Sequence, residues 1–312
     1  MEKGKEQKVA VVTGSSTGIG FETSLLLARN GFYTYATMRN TKKSETIEKI
    51  ASKENLPLKV LPLDVDSLDS VRNTIDKILD EKNKIDILVN NAGYGLFGAL
   101  EDISIQEVKQ QFETNFFGAI RTIKQVLPSM REQKNGMIIN ISSISGKVGF
   151  PAECIYVSTK FALEGLSESI SYELGAYGIK VILIEPGVIN SNFVPNIKFP
   201  VRPGEKLKKD VPAEEFSEIK TQSCTKNTDK KNLSHYSNTI DVFLSHYYPA
   251  MKNAPLPKEV ALLILESIKN ATNSSESLYR YLIGEDAKVF GRAKDNLSDS
   301  EFYQFVSKRV LT

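Results

Sequence analysis

Short apolar runs alternate with longer helical stretches up to about residue 190, and this alternation constrains the fold more than any other feature. The runs are apolar on both faces and are bounded by Gly, Pro or Asn, which is typical of buried parallel strands. Such alternation requires right-handed crossovers and yields a parallel sheet covered by helices on both faces. The predicted strands are Lys8–Thr13, Phe32–Thr37, Leu58–Pro62, Ile85–Asn90, Gly136–Ile141 and Ile179–Glu185, and the predicted helices are Ile19–Asn30, Lys43–Lys53, Leu68–Glu81, Ile105–Glu132 and Cys154–Tyr177.

The chain changes character after Pro186. Residues 195–255 begin with several prolines and continue through a charged run to an aromatic-rich stretch around His235–Tyr248. We predict a lid-like insertion that packs over the sheet and is not a separate domain. Order returns with a helix at Pro257–Asn270, a seventh strand at Leu278–Ile283 and a helix near Ser300–Val310. The expected fold is therefore α/β: a doubly wound Rossmann fold with a seven-stranded parallel sheet, one catalytic domain over residues 1–312, and the insertion before the last helix and strand.

Composition excludes several classes of partner. The 40 basic and 38 acidic residues nearly cancel, so no global charge favours nucleic acid or an anionic membrane. No apolar run reaches the roughly 18 residues of a membrane helix, and the charged N-terminus lacks a signal core. Cys154 and Cys224 cannot form a secreted-type disulfide framework, and His235 and His246 lack further ligands at metal-binding spacing. We predict a cytoplasmic protein without a membrane span, a metal or a nucleic-acid partner.

A glycine-rich turn, Thr13–Gly20, joins the first predicted strand to the helix that follows it. Glycines permit a tight turn and let a pyrophosphate approach the backbone, while the helix N-terminus offers free N–H groups. The second strand ends near Arg39, with no Asp or Glu close by. A carboxylate there would bind the ribose 2′-OH of NAD, whereas an arginine accommodates a 2′-phosphate. The sequence therefore predicts NADP(H).

Tyr156 and Lys160 lie four residues apart in a predicted helix, which places them on one face. A free tyrosine has a pKa of about 10, and a neighbouring ammonium lowers it, so the pair can act as a general acid/base. Ser143 follows the fifth strand, where its hydroxyl can hydrogen-bond a substrate oxygen. Asn115 could hold a water molecule near Lys160.

Six motifs occur along the chain in this order: Thr13–Gly20, Asn90–Gly93, Asn115, Ser143, Tyr156 with Lys160, and Pro186-Gly187. Together they resemble the short-chain dehydrogenase/reductase family, over about residues 8–193 and more loosely over 257–284. Three further stretches are similar to the branch with 17β-hydroxysteroid and retinol dehydrogenases and NADP-dependent carbonyl reductases: Ala36–Arg39, Asn91–Leu96 and Ser158–Ser169.

The resemblance implies a role for each motif residue. Tyr156 would be the proton donor and acceptor, Ser143 would orient the substrate oxygen, and Lys160 would tune Tyr156 and bind the nicotinamide ribose. Asn115 would support a water-mediated proton relay. Cofactor contacts are expected from Gly14, Ser16, Gly18, Ile19 and Gly20 at the pyrophosphate, Arg39 at the 2′-phosphate, Asp64 and Val65 at the adenine, Asn91, Ala92 and Gly93 along the ribose and ring, and Pro186, Gly187, Ile189 and Ser191 at the nicotinamide. Ser191 stands where the family often has a threonine.

The predicted reaction is reversible hydride transfer between NADP(H) and a secondary alcohol or a carbonyl compound, running as a reductase. An aromatic and aliphatic set of expected pocket residues favours an apolar small molecule. This set is Tyr94, Leu96, Phe97, Val148, Phe150, Glu153 and Phe193. The resemblance also implies a homodimer or homotetramer that pairs through Ile105–Glu132 and Cys154–Tyr177.

Two alternatives compete with this interpretation. A nucleotide-sugar epimerase or dehydratase would have a G-x-x-G-x-x-G turn, which Gly14, Gly18 and Gly20 do not fit. A non-catalytic NADP(H)-binding regulator would tend to lose the tyrosine or the lysine, and both Tyr156 and Lys160 are present.

Overall fold

The computed structural model of the protein describes residues 7–194, 196–200 and 234–312. Its strands are β1 (Val9–Val12), β2 (Tyr33–Met38), β3 (Leu58–Pro62), β4 (Ile87–Asn90), β5 (Gly136–Ile141), β6 (Ile179–Pro186) and β7 (Leu278–Ile283). Its helices are α1 (Gly18–Arg29), α2 (Glu45–Lys53), α3 (Leu68–Lys82), α4 (Ile105–Phe112), α5 (Gly118–Gln133), α6 (Cys154–Gly175), α7 (Ser237–Ala250), α8 (Pro257–Thr272), α9 (Glu285–Asn296) and α10 (Asp299–Val310).

The seven strands form one parallel sheet in the order β3-β2-β1-β4-β5-β6-β7, which confirms the predicted sheet. The strand order reverses between β1 and β4, where Val12 lies beside Val89. In open parallel sheets a crevice forms outside the carboxyl ends of the strands at such a reversal, and ligands bind there. The sheet topology alone therefore indicates a ligand-binding site at the carboxyl ends of β1 and β4.

Helices cover both faces of the sheet. On one face α3, α5 and α6 bury residues such as Ile75, Val126 and Leu174 against the strands. On the other face α1 and α8 bury residues such as Leu27 and Ile264. These two apolar layers hold the strands in place, so the loops that follow the strand ends have defined positions.

Two helical regions differ from the sequence prediction. The predicted helix Ile105–Glu132 is interrupted by a π-helical turn at Glu113–Phe117, and helix α9 was not predicted. The aromatic stretch of the predicted lid forms helix α7. Residues 201–233, which make up most of the remaining predicted lid, lie outside the described residues.

Candidate active site

A cleft of about 530 Å³ opens where β4, β5 and β6 end. It is lined by predicted site residues from distant parts of the chain. These are Ile19, Asn91, Gly93, Tyr94, Ser143, Phe150, Glu153, Tyr156, Lys160, Pro186, Gly187, Ile189, Ser191 and Phe193. The structure thus brings most of the predicted catalytic, substrate-binding and nicotinamide-binding residues into one cavity.

Tyr156, Ser143 and Lys160 meet inside this cleft, and all three are buried. Tyr156 lies in the first turn of α6, and the Ser143 side chain just beyond β5 is close enough to its phenol to affect the phenol pKa. The Ser143 hydroxyl itself donates to the Pro186 carbonyl at 3.3 Å. The Lys160 ammonium lies 5.6 Å from the centroid of the Tyr156 ring and donates a hydrogen bond to the Ile141 carbonyl at 2.7 Å. The arrangement can bind a carbonyl oxygen with two hydroxyl groups and hold a third proton-exchanging group behind them.

Burial sets the protonation of these groups. It raises the pKa of Tyr156 well above its ordinary value; the charge of Glu153 acts in the same direction, and the nearby Ser143 side chain opposes it. The lowering of the Tyr156 pKa that we expected from Lys160 is therefore not observed, because the phenol is desolvated in an apolar cleft. Burial also lowers the pKa of Lys160 to about 8, against the opposing charge of Glu164. At neutral pH the phenol is protonated and available as a proton donor.

Asn115 lies in the π-helical turn and is buried. Its side-chain amide donates to the Tyr94 carbonyl at 2.9 Å and to the Thr159 hydroxyl at 3.2 Å, and its oxygen accepts from the Tyr94 N–H at 3.0 Å. Asn115 and Lys160 both line a second cavity of about 10 Å³, close to the smallest volume that holds one water molecule. The structure therefore offers a place for the water of the predicted relay.

The glycine-rich turn fits a dinucleotide pyrophosphate. Gly14 and Gly18 have positive φ values of 68° and 61°, and a Cβ at Gly20 would lie 2.5 Å from the Gly14 carbonyl oxygen. No side chain caps the first turn of α1, and that turn contains no acidic residue. The N–H groups of this first helical turn, which includes Ile19, are therefore free to bind an anion, and Ser16 lies in the glycine-rich turn just before it.

Asn91 and Ala92 tie this turn to the end of β4. The Asn91 amide donates to the carbonyls of Thr13 at 3.0 Å and Gly14 at 3.1 Å, and the Ala92 N–H donates to the Thr13 hydroxyl at 3.1 Å. A Cβ at Gly93 would lie 3.1 Å from the Asn115 side-chain oxygen, so a larger residue there would require Asn115 to shift.

Three predicted adenosine contacts lie outside the large cleft. Arg39 is exposed one residue beyond β2, and its charge opposes the rise that burial causes in the pKa of Asp66. Asp64 is half-buried and accepts a hydrogen bond from the Asp66 N–H at 3.2 Å. Val65 is buried, and its carbonyl accepts from Arg121 at 3.1 Å. Of these three residues, Arg39 is the one whose side chain is exposed.

Asp286 was missed by the sequence analysis, although it lines the nicotinamide end of the cleft. Its carboxylate accepts from the Val188 N–H at 2.7 Å, and a side chain at Gly187 would overlap it. A signal was available: an acidic pair follows Gly284 directly after β7, which is typical of a helix N-terminus.

The predicted substrate residues divide into two groups. Tyr94, Phe150, Glu153 and Phe193 line the cleft. Leu96, Phe97 and Val148 are buried behind it: Val148 packs with Ile144, Ala287 and Phe302, and Phe97 lies 6.2 Å from Tyr156 and 5.4 Å from Tyr247 between ring centroids.

The far wall of the cleft comes from α7, which belongs to the predicted lid, and from helices α9 and α10, which the sequence analysis did not assign to the site. Its residues include Phe243, His246, Tyr247, Ala250, Val289, Phe290, Arg309 and Val310. Phe243 and Tyr247, which lie in the predicted lid, pack with Phe97 and Tyr156 over the cleft.

Glu153 is an unusual part of this apolar lining. Only 3% of it is exposed, and its carboxylate accepts a hydrogen bond from the Ser145 hydroxyl at 2.9 Å. Burial raises the pKa of Glu153 to about 8, which the Ser145 hydrogen bond opposes. The cleft therefore contains an acid that is largely protonated at neutral pH when no ligand is bound.

This acid should make the stability of the ligand-free protein depend on pH. Because the folded-state pKa of Glu153 lies above its ordinary value of 4.5, the folded state binds the proton more tightly, and stability is lost as pH rises from about 4.5 to 8. The variant Glu153→Gln cannot titrate, so its melting temperature relative to wild type should increase steadily between pH 5 and pH 8. Thermal melts at several pH values test this, with Glu285→Gln, an exposed carboxylate of the same cleft, as the control. A difference independent of pH would contradict the prediction.

Comparison with known proteins identifies the family. The sequence profile of the short chain dehydrogenases matches residues 8–199. The chain belongs to this family. The predicted membership is confirmed, and the chain is an oxidoreductase of this family.

Two curated relatives of this dehydrogenase carry specific names. The chain is 41% identical to the 3-ketodihydrosphingosine reductase of Bacteroides thetaiotaomicron over 191 residues, 61% of this chain and 67% of that protein. It is 34% identical to retinol dehydrogenase 8 of Bos taurus over 269 residues, 85% of this chain and 78% of that protein. The match to the Bacteroides protein thus spans about two thirds of its length.

Solved structures agree with the fold. A short-chain dehydrogenase from Streptomyces avermitilis superposes with a TM-score of 0.71 at 25% identity, covering 97% of this chain and 98% of that one. A metagenomic short-chain oxidoreductase in complex with NADP gives a TM-score of 0.56 at 31% identity, over 58% of this chain and 82% of that one. Among the described residues, no helix is long and apolar enough to cross a membrane, and no group of three potential metal ligands occurs.

Proposed function

We propose that this short-chain dehydrogenase interconverts an apolar carbonyl compound and its alcohol with NADP(H), and that Tyr156 is the general acid/base. The observation that carries the proposal is the Tyr156 phenol, buried together with Ser143 and Lys160 in a cleft of about 530 Å³. A protonated phenol in this position has the chemistry of a proton donor to a carbonyl oxygen.

The residues of the chain divide the work of a reduction. NADPH, when bound, supplies the hydride that the carbonyl carbon accepts. The substrate oxygen takes up negative charge at that moment, and the hydroxyls of Ser143 and Tyr156 stabilise it by hydrogen bonds. Tyr156 then gives its proton to the oxygen. Lys160, with a pKa near 8, can return a proton to the phenol, and the small cavity beside Asn115 offers room for the water that resupplies it.

The cofactor proposal rests on the glycine turn and on Arg39. The uncapped N-terminus of α1 suits a pyrophosphate, and the exposed guanidinium of Arg39 suits a 2′-phosphate. The NADP complex of the metagenomic relative supports the same choice.

The nature of the cleft supports a large apolar substrate. Phe150, Phe193, Phe243 and Tyr247 form much of its wall. The two named relatives carry the names of 3-ketodihydrosphingosine and retinol, compounds with long hydrocarbon parts.

A carbonyl panel tests the function. Purified protein with NADPH should reduce 3-ketodihydrosphingosine, all-trans-retinal and dodecan-3-one at least about tenfold more efficiently than butan-2-one, because apolar contacts grow with chain length. NADPH absorbance and product analysis give kcat/KM for each compound. NADPH binding without turnover of any compound would favour the non-catalytic regulator. Conversion of UDP-glucose to another nucleotide sugar would favour the epimerase.

We also propose a homodimer or homotetramer that pairs through the predicted helices. Apolar side chains on these helices are exposed in the single chain: Ile105, Phe117, Phe161 and Tyr172. Burying such side chains between copies would favour association.

A further inference from the structure

Two acid–hydroxyl pairs lie side by side in the cleft. The first is the Tyr156 phenol with the Ser143 hydroxyl, and the second is the Glu153 carboxyl with the Ser145 hydroxyl at 2.9 Å. Ser143 and Ser145 are two residues apart on one loop, and Glu153 and Tyr156 are three apart at the start of α6. All four residues line the cleft, and the charge of Glu153 contributes to the raised pKa of Tyr156, so the two pairs are close in space. The carboxyl therefore lies beside the position proposed for the reacting oxygen.

The second pair is not needed for carbonyl reduction, and the carboxyl has no cationic partner among the described residues. The Lys160 ammonium is directed to the Ile141 carbonyl, and the Arg309 guanidinium lies 4.5 Å from the centroid of the Phe305 ring. Within the described part of the chain, Ser145 is the hydrogen-bond partner of the Glu153 side chain.

An isolated carboxyl in an apolar cavity carries an energetic cost that an apolar residue of similar size would avoid. The Glu153 carboxyl is 3% exposed and faces the cleft, so a ligand inside the cleft can reach it. The tyrosine and the two serines already supply hydroxyl groups for neutral polar partners. What the Glu153 carboxyl lacks among the described residues is a cationic partner, because neither Lys160 nor Arg309 pairs with it.

We infer that Glu153 binds an ammonium group on the substrate, and that the substrate class is an apolar carbonyl compound with an amino group on the carbon next to the carbonyl. The inference rests on the proposed function and narrows its substrate. The carbonyl oxygen lies between Ser143 and Tyr156, the ammonium group pairs with Glu153, and the hydrocarbon chain contacts the aromatic wall formed by residues such as Phe243 and Tyr247. The name of the Bacteroides relative agrees, because 3-ketodihydrosphingosine is a 2-amino ketone with a long hydrocarbon chain.

Three alcohols that differ at one carbon test the inference in the oxidative direction with NADP+. They are 2-aminododecan-3-ol, dodecane-2,3-diol and dodecan-3-ol. In the wild type, kcat/KM for the amino alcohol should exceed that for dodecan-3-ol by about tenfold to a hundredfold, as expected for a charge-assisted contact. In Glu153→Gln, which keeps the shape and removes the charge, this ratio should fall to near one. In Glu285→Gln, which removes an exposed carboxylate from the same cleft, the ratio should persist.

Each outcome decides between distinct ideas. Turnover of dodecan-3-ol without preference for the amino alcohol, or an equal preference for the diol, overturns the ammonium subsite and leaves the proposed function standing. A ratio that survives in Glu153→Gln also overturns the subsite. Failure of the wild type to oxidise any of the three alcohols, or to reduce any carbonyl in the panel, overturns the proposed function itself.

The test does not depend on the variant folding. NADPH binding and thermal melting monitor the fold of Glu153→Gln. If that variant does not fold, inhibition of wild-type dodecan-3-ol oxidation by dodecylamine and by dodecan-1-ol decides the matter. Tighter inhibition by the amine, about tenfold or more, supports the subsite, and equal inhibition overturns it.

Discussion

Replacing Tyr156 with phenylalanine should reduce turnover by about a hundredfold to ten-thousandfold, the usual contribution of a positioned general acid. The aromatic ring stays in place, because its contacts with Phe97 at 6.2 Å and Phe193 at 5.7 Å between centroids do not involve the hydroxyl. NADPH binding should therefore change only a few-fold. Steady-state rates with the best carbonyl of the panel, together with titration of NADPH fluorescence, measure both quantities.

Tyr247→Phe is the matched control for this experiment. Tyr247 is another tyrosine of the same cleft, with its ring 5.4 Å from that of Phe97, but the proposed reaction gives its hydroxyl no role. Its loss should change turnover less than about tenfold. Retention of more than a tenth of the activity in Tyr156→Phe, or an equal loss in the control, would place the proton donor elsewhere.

The placement of the chemical groups could be predicted because strand ends are easy to find in the sequence. Ser143 lies just after β5 and Pro186 is the last residue of β6; both runs are mostly apolar, which is typical of buried parallel strands, and the carboxyl ends of such strands meet at one edge. The placement of Tyr156 and Lys160 on one helix face could be predicted from their spacing of four residues. Local patterns thus carried the arrangement of the site, and the seven-stranded sheet followed from the same alternation.

The remaining features depend on tertiary contacts that no local pattern records. The π-helical turn at Glu113–Phe117 exists where Asn115 exchanges hydrogen bonds with the backbone of Tyr94, a residue 21 positions away. The raised pKa of Tyr156 depends on desolvation by walls that include α7 and the C-terminal helices. Our expectation of a lowered pKa considered the neighbouring ammonium and omitted the burial, which proved the larger effect.

Glu153 links stability to substrate choice. A glutamine there should stabilise the ligand-free fold at alkaline pH, whereas the inferred ammonium contact needs the carboxylate. A residue that costs stability and faces a cleft is a candidate for function, since a packing role alone would favour an apolar side chain. The pH-dependent melting of Glu153→Gln and its preference among the three alcohols therefore test the same idea, that an unpaired carboxyl in the cleft costs stability and serves substrate binding.

The proposed preference for NADP(H) rests on Arg39 more than on any other residue. It lies one position beyond β2 and is exposed, and neither β2 nor the two residues that follow it include an Asp or a Glu. A charge-assisted contact with a 2′-phosphate should give the wild type a tenfold to hundredfold preference for NADPH over NADH. Arg39→Asp replaces this attraction with repulsion and supplies an acceptor for a free 2′-OH, so the preference should invert.

Lys42→Asp separates direct contact from bulk charge in this experiment. Lys42 is exposed three residues further along the chain, and its substitution changes the net charge by the same amount as Arg39→Asp. Titration of the three proteins with NADPH and NADH should show inverted preference in Arg39→Asp and a change of less than about threefold in Lys42→Asp, because exposed charges that make no direct contact are strongly screened by salt. Equal affinities in the wild type, or equal effects of the two substitutions, would mean that the Arg39 guanidinium does not contact the cofactor. A wild-type preference for NADPH that survived in Arg39→Asp would instead assign the 2′-phosphate contact to another basic side chain near the end of β2.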